Sequence, residues 1–128
     1  FLHRALRMVV TRGTAGSVFA GFPVAVSGKT GTAQVFGKNP NGSAKDDTSW
    51  FASYGPTENP TYVVVMMVSQ GGFGASTSGL GVRDIYSTLF GVTGNRVDPN
   101  KVIFPNGVPN NIPKLDLTGV KVGGVKLK

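Results

Sequence analysis

The stretch Ser27-Gly28-Lys29-Thr30-Gly31-Thr32-Ala33-Gln34-Val35-Phe36 decides between two architectures. Gly28-Lys29-Thr30 has the lettering of a phosphate-binding loop, in which a strand gives way at once to a helix. That motif needs a glycine five residues before the Gly-Lys pair, and Pro23 stands there. Gly31-Thr32-Ala33-Gln34-Val35 is also a poor helix start. The alternative is a single glycine-interrupted strand, entered through Val24-Ala25-Val26. A glycine inside a strand marks close approach by a ligand or another backbone.

Before that strand, Leu2, Ala5, Leu6, Val9 and Val10 recur at helical spacing, with Arg4 and Arg7 off the stripe. Gly13 ends the helix, and Thr14-Ala15-Gly16 reads as a turn. Downstream, residues 37–48 are polar and predict an exposed connection. Trp50-Phe51-Ala52-Ser53-Tyr54 predicts a second strand, stopped by Gly55-Pro56. After the turn Thr57-Glu58-Asn59-Pro60 comes a third, Tyr62-Val63-Val64-Val65-Met66-Met67-Val68, forming an antiparallel hairpin with the second. The third is apolar throughout, which predicts a central strand covered on both faces. Val82, Ile85, Tyr86, Leu89 and Phe90 then mark an amphipathic helix, with Ser76, Thr77 and Ser78 as N-cap candidates and Gly91 closing it. Pro99, Pro105, Pro109, Pro113 and Asn106-Gly107 make the remainder turn-rich. Residues 120–127 alternate around Gly123-Gly124, as a small hairpin or a loose tail. The class is α+β, an antiparallel sheet with helices packed on its faces.

The chain has 128 residues, 19 of them glycine, which disfavours a bundle of long helices. Cysteine is absent, excluding disulfides, thiolate metal sites and cysteine nucleophiles. Thirteen basic and six acidic side chains give a net charge of +7. The basic residues are spread singly, so the charge describes a solvated surface and no nucleic-acid partner. His3 is the single histidine, which argues against a histidine metal site. Met66 and Met67 are expected to fill core, and Trp50 and Phe51 to be core or sheet-face residues. Phe1-Leu2-His3-Arg4 opens inside an amphipathic pattern without a starting Met, so the chain is expected to be cut from something larger.

Ser27 to Gln34, SGKTGTAQ, resembles almost letter for letter the third-strand segment of penicillin-binding proteins and serine β-lactamases, whose third motif is K-T-G. The succession around it is similar too: a helix ending in Gly13-Thr14-Ala15, a polar loop, a Trp-Phe strand, a Gly-Pro turn, an apolar strand and a helix. The resemblance covers residues 1–91 and points to the class B penicillin-binding proteins, the D,D-transpeptidases of bacterial cell-wall synthesis. One departure is the start of the last helix, where the family often has Ala-Ala-Pro and this chain has Ser78-Gly79-Leu80. The resemblance implies a partial transpeptidase fold, with residues 1–96 as its C-terminal portion and residues 97–128 as a turn-rich extension.

It also implies a chemistry: acyl transfer from a peptide stem ending in D-Ala-D-Ala to an active-site serine, then to an amine. Lys29 offers a cation to the terminal carboxylate, and Thr30 and Thr32 offer hydroxyl donors. Gly31 lets a substrate strand lie close, and Gln34 falls on the substrate-binding side. The backbone N–H of Thr32 supplies one oxyanion-hole donor. No cofactor or metal is implied. The family's Ser-x-x-Lys nucleophile motif and its Ser-x-Asn motif occur nowhere in the chain. The fragment alone is therefore expected to be inactive. The N-terminal remainder of the domain is expected to supply the serine, as part of a protein anchored on the outer face of the bacterial cytoplasmic membrane. β-Lactam antibiotics are the second ligand class that the resemblance implies. The rival expectation within the same fold is a non-catalytic penicillin sensor or scaffold.

Overall fold

The computed structural model describes residues 1–105, 121–122 and 125–126. The main elements are helix α1 (Leu2–Thr11), strands β1 (Ser27–Ala33), β2 (Thr48–Gly55) and β3 (Tyr62–Val68), and helix α2 (Leu80–Leu89). The three strands form one antiparallel sheet in the order β1-β2-β3. Thr30 stands opposite Phe51, which stands opposite Met66, and this register divides every strand between two faces.

The inner face carries Gly28, Thr30 and Thr32 from β1, Ser49, Phe51 and Ser53 from β2, and Val64, Met66 and Val68 from β3. Phe51 is fully buried at its centre and stacks on Phe19, ring centroids 5.8 Å apart. α2 lies over the same face. Its Val82 and Tyr86 are fully buried, and Tyr86 stacks on Phe90 at 5.7 Å. The Tyr86 hydroxyl meets Ser53 Oγ at 3.2 Å, while Ser53 donates to the Val64 carbonyl at 3.0 Å. These bonds satisfy two polar groups that burial would otherwise make costly. α1 packs beside β1: Val10 enters the core, and the Arg7 guanidinium donates to the Val26 carbonyl at 2.8 Å.

The outer face corrects one expectation. The Tyr62–Val68 strand is apolar throughout, yet it is an edge strand, and Val63, Val65 and Met67 are 76%, 58% and 51% exposed. The sheet alternates sides residue by residue, and no described element lies over Trp50, Ala52 and these three side chains. A second correction concerns α2. Ser76, Thr77 and Ser78 do not cap it, because a π-type turn over Ala75–Gly79, with Gly79 N–H on the Gly74 carbonyl, runs straight into the helix. Their hydroxyls bond elsewhere: Ser76 to the Phe73 carbonyl, Thr77 to the Gly71 carbonyl, and Ser78 to Ser49. Ile85, placed on the buried stripe by its spacing, is 41% exposed. Gly91 does close the helix, at φ +58°.

Beyond α2, a short pairing of β4 (Val92–Thr93) with β5 (Arg96–Val97) turns the chain back. Asp98 caps a short 3₁₀ turn over Pro99–Lys101, and Ile103 N–H bonds the Leu89 carbonyl. The Tyr62 hydroxyl donates to the Ile103 carbonyl, tying this return to β3. Lys121–Val122 pairs antiparallel with Val125–Lys126, in the hairpin form that the alternation allowed. The expected turn at Asn106-Gly107 and the prolines at 109 and 113 lie outside the described residues.

Burial raises the Tyr86 phenol above its ordinary value near 10, with the hydrogen bonds to Ser53 and Val64 opposing. A folded value above the unfolded one means that the stability is complete below the unfolded value and is lost as pH rises through the folded one. Tyr86→Phe is expected to cost about 1 kcal/mol at neutral pH, from the lost hydrogen bond. The stability gap between wild type and variant should then shrink above about pH 10. Urea midpoints measured against pH check this; a gap that stays constant through the alkaline range contradicts it.

Candidate active site

Among the described residues β1 has β2 on one side and no strand on the other, so half of its backbone groups point off a free edge. Two observations say which half. Gly74 lies over Gly31 N, Gly31 O and Trp50 O, the atoms of one paired position between the strands. A Cβ at Gly74 would come within 2.7 Å of the Trp50 carbonyl, so only glycine lets the 71–74 loop close here. The Thr30 carbonyl is met instead by Lys29 Nζ, at 2.6 Å. In an antiparallel strand the N–H and C=O of one residue point the same way, and the period is two. The N–H and C=O of Thr30 and Thr32 thus point off the free edge, and those of Gly31 point toward β2.

The side chains follow the same alternation. Lys29 is exposed on the outer face, opposite Ala52. Its ammonium bends over the edge to the Thr30 carbonyl, with Thr30 Oγ1 3.4 Å away. Thr30 is half-buried on the inner face, and its hydroxyl lies 2.8 Å from that of Thr14. Thr32 is exposed, and its Oγ1 accepts from Gly74 N–H at 3.4 Å. Gly31 faces outward, where a Cβ would meet that of Trp50 at 3.2 Å. Gln34 stands exposed one residue beyond β1. A cation, two hydroxyls and a row of backbone N–H groups therefore line one edge. Such an arrangement has the chemistry to bind a carboxylate and to offer a donor to a carbonyl oxygen on which negative charge develops.

The edge holds no serine set up to react. Ser27 precedes Lys29 by two residues but is fully buried, with its hydroxyl on Thr57 at 2.9 Å. Ser49, Ser53 and Ser78 are buried and spend their hydroxyls on one another or on inner-face partners. His3 is exposed, with Nδ1 2.7 Å from the Tyr54 hydroxyl. Among the described residues, no group of three or more His, Asp or Glu side chains is placed to hold a metal ion.

Two residues of this region were not singled out from the sequence. In sequence terms Thr14 is one residue of the turn that ends a helix, and Gly74 one of several glycines between the third strand and the last helix. The signal for Thr14 is the α1 terminus. Gly13 N–H reaches back to the Met8 carbonyl and Ala15 N–H to the Val9 carbonyl. A Cβ on Gly13 would lie 2.8 Å from Val9 Cα, so glycine is what lets the chain fold back and set Thr14 against β1.

A family model described as "Penicillin binding protein transpeptidase domain" matches residues 2–107. The chain is 38% identical over 74 residues to the peptidoglycan D,D-transpeptidase MrdA of Haemophilus influenzae, covering 52% of this chain and 11% of that protein. It superposes on Pseudomonas aeruginosa PBP2, solved in complex with WCK 5153, with a TM-score of 0.64 at 25% identity, over 80% of this chain and 21% of that one. On penicillin-binding protein 2B of Streptococcus pneumoniae the TM-score is 0.55 at 25% identity, over 72% of this chain and 16% of that one. The chain thus spans about a tenth of the curated relative and about a fifth of the first of these structures. With the motif strand, the free edge and the match over residues 2–107 in agreement, the chain belongs to the penicillin-binding protein transpeptidase domain family.

Proposed function

We propose that this chain is the C-terminal portion of a class B D,D-transpeptidase and forms one wall of its active site. The observation that carries the proposal is the free edge of β1, where Lys29, Thr30 and Thr32 stand together with outward-pointing N–H groups. The substrate is a peptidoglycan stem ending in D-Ala-D-Ala. Lys29 and the two threonine hydroxyls hold its terminal carboxylate. The Thr32 N–H faces the oxygen of the scissile carbonyl, and one such donor is typically worth about 3 to 4 kcal/mol in the transition state. A serine hydroxyl attacks that carbonyl, the terminal D-Ala leaves as its amine, and a second stem's amine then takes the acyl group from the serine. β-Lactams present the same carboxylate and a strained amide, and stop at the acyl stage.

The serine belongs to an N-terminal remainder of the domain. The exposed apolar side chains Val63, Val65 and Met67, and the unpaired edge of β3, are the surface that this remainder covers. The small share of the relatives that the chain spans supports this division. No helix among the described residues is long and apolar enough to cross a membrane. The anchor to the outer face of the cytoplasmic membrane is likewise assigned to the remainder.

Two experiments test the assignment. The isolated chain is expected to form no covalent adduct with a fluorescent penicillin; a stable stoichiometric adduct would place a nucleophile within these residues and overturn the division. In the full-length protein, Lys29→Ala is expected to slow acylation by penicillin about ten- to a hundredfold, the value of a lost charge-assisted contact. The melting temperature should hold, since an exposed lysine contributes within about 0.5 kcal/mol to stability. Lys29→Arg is expected to restore only part of the rate, because a planar fork replaces a compact ammonium. Acylation of K29A at the wild-type rate would reduce Lys29 to a surface residue. Absence of acylation in the full-length wild type would instead favour the scaffold, and acylation without transpeptidation of peptide stems the sensor.

A further inference from the structure

Thr30 Oγ1 lies 2.8 Å from Thr14 Oγ1 and 3.4 Å from Lys29 Nζ. A hydroxyl carries one hydrogen and two acceptor positions, and an ammonium only donates. If Thr30 gave its hydrogen to Thr14, it would turn lone pairs toward an arriving carboxylate. If Thr14 is the donor, Thr14 and Lys29 fill both acceptor positions of Thr30, and its O–H is left free to point at the anion. A hydrogen bond to a charged acceptor is roughly twice as strong as a neutral one, and each donor in such a chain strengthens the next. The bound carboxylate therefore selects the second arrangement.

We propose, resting on the transpeptidase assignment above, that Thr14 is a positioning residue for the carboxylate site, which sets the Thr30 hydroxyl as a donor to the substrate. Thr14 is well placed for this. It sits between Gly13, whose close approach to Val9 admits no side chain, and Ala15, which is fully buried. Both neighbours are hydrogen-bonded back into the last turn of α1. Thr14 itself is exposed, so its hydroxyl is not needed to fill the core. The end of α1 thereby acts on the substrate through Thr30, without touching it.

The test is the second-order acylation rate of the full-length protein with a penicillin and with the methyl ester of the same penicillin, beside the melting temperature. Thr14→Val keeps the shape and removes the hydroxyl. It is expected to slow acylation by the free acid about tenfold while changing the rate with the ester less than about twofold. Thr14→Ser is expected to recover most of the loss. In a Thr30→Val background, Thr14→Val should add nothing further, because the bond it serves is gone. If T14V lowers the melting temperature, Thr14→Ala carries the same comparison with less bulk at the turn. Equal losses on acid and ester would make Thr14 a structural residue only, and a wild-type rate with the acid would remove it from the site; either overturns the proposal and leaves the transpeptidase assignment standing. A wild-type protein that no penicillin acylates sinks both.

Discussion

The free edge of β1 is the constraint on which the rest depends. An edge strand presents a row of unpaired N–H and C=O groups, and proteins ordinarily block such rows because they recruit other chains. Here the row is left open between Lys29 and Thr32, and what surrounds it is polar: an ammonium, two hydroxyls and a glycine. The edge is unsuited to apolar pairing and suited to a short peptide with a charged end. Its recognition elements are mostly backbone, so their positions are set by the register of β1 on β2 and not by rotamers. A shift of one residue would exchange the Thr30 and Gly31 directions and destroy the site.

Fixing that register is the task of the inner face. Phe51 faces Thr30 across the strand pair, and its stack with Phe19 anchors β2 beneath the site. Burial of such a ring is worth enough that its removal typically costs about 3 to 5 kcal/mol. Gly74 closes on the same inner face, lying over the Gly31–Trp50 pair, with the loop held by Gly72 N–H on the Asp47 carbonyl and by the buried Ser49–Ser78 hydroxyl pair. The edge of β1 therefore has rigid packing behind it, and the groups along it are already aimed, the preorganisation that stabilising a developing charge would need.

Legibility from sequence followed the range of the interactions. The helix stripe of Val82, Tyr86 and Phe90, the Gly91 stop and the three strands came from local periodicity, and the K-T-G strand from its lettering. Tyr62–Val68 misled because an apolar run reports that a strand will be covered, but not by which chain; its outer side chains stand bare here. Ser76, Thr77 and Ser78 looked like caps because capping is a local preference, while in the fold a π-type turn runs into the helix and Ser78 is buried against Ser49, 29 positions away. Thr14 escaped for the same reason. Nothing in Gly13-Thr14-Ala15 states that its hydroxyl meets one 16 residues on.

The two open edges of the sheet differ in a way that sorts their partners. Along β1 the outward groups are Lys29, Thr30 and Thr32, which stay solvated until a ligand replaces water with matched hydrogen bonds. Along β3 the outer side chains are Val63, Val65 and Met67, whose exposure costs roughly 25 cal/mol for each Å² left in water. A ligand that binds and leaves suits the first edge, because exchanging water for matched bonds is nearly balanced. A permanent cover suits the second, because apolar burial gains most when it is never reversed. The same three strands thus separate a polar, ligand-exchanging kind of edge from an apolar one that calls for a permanent cover, and the strand between them, β2, carries Phe51 inward and Trp50 outward.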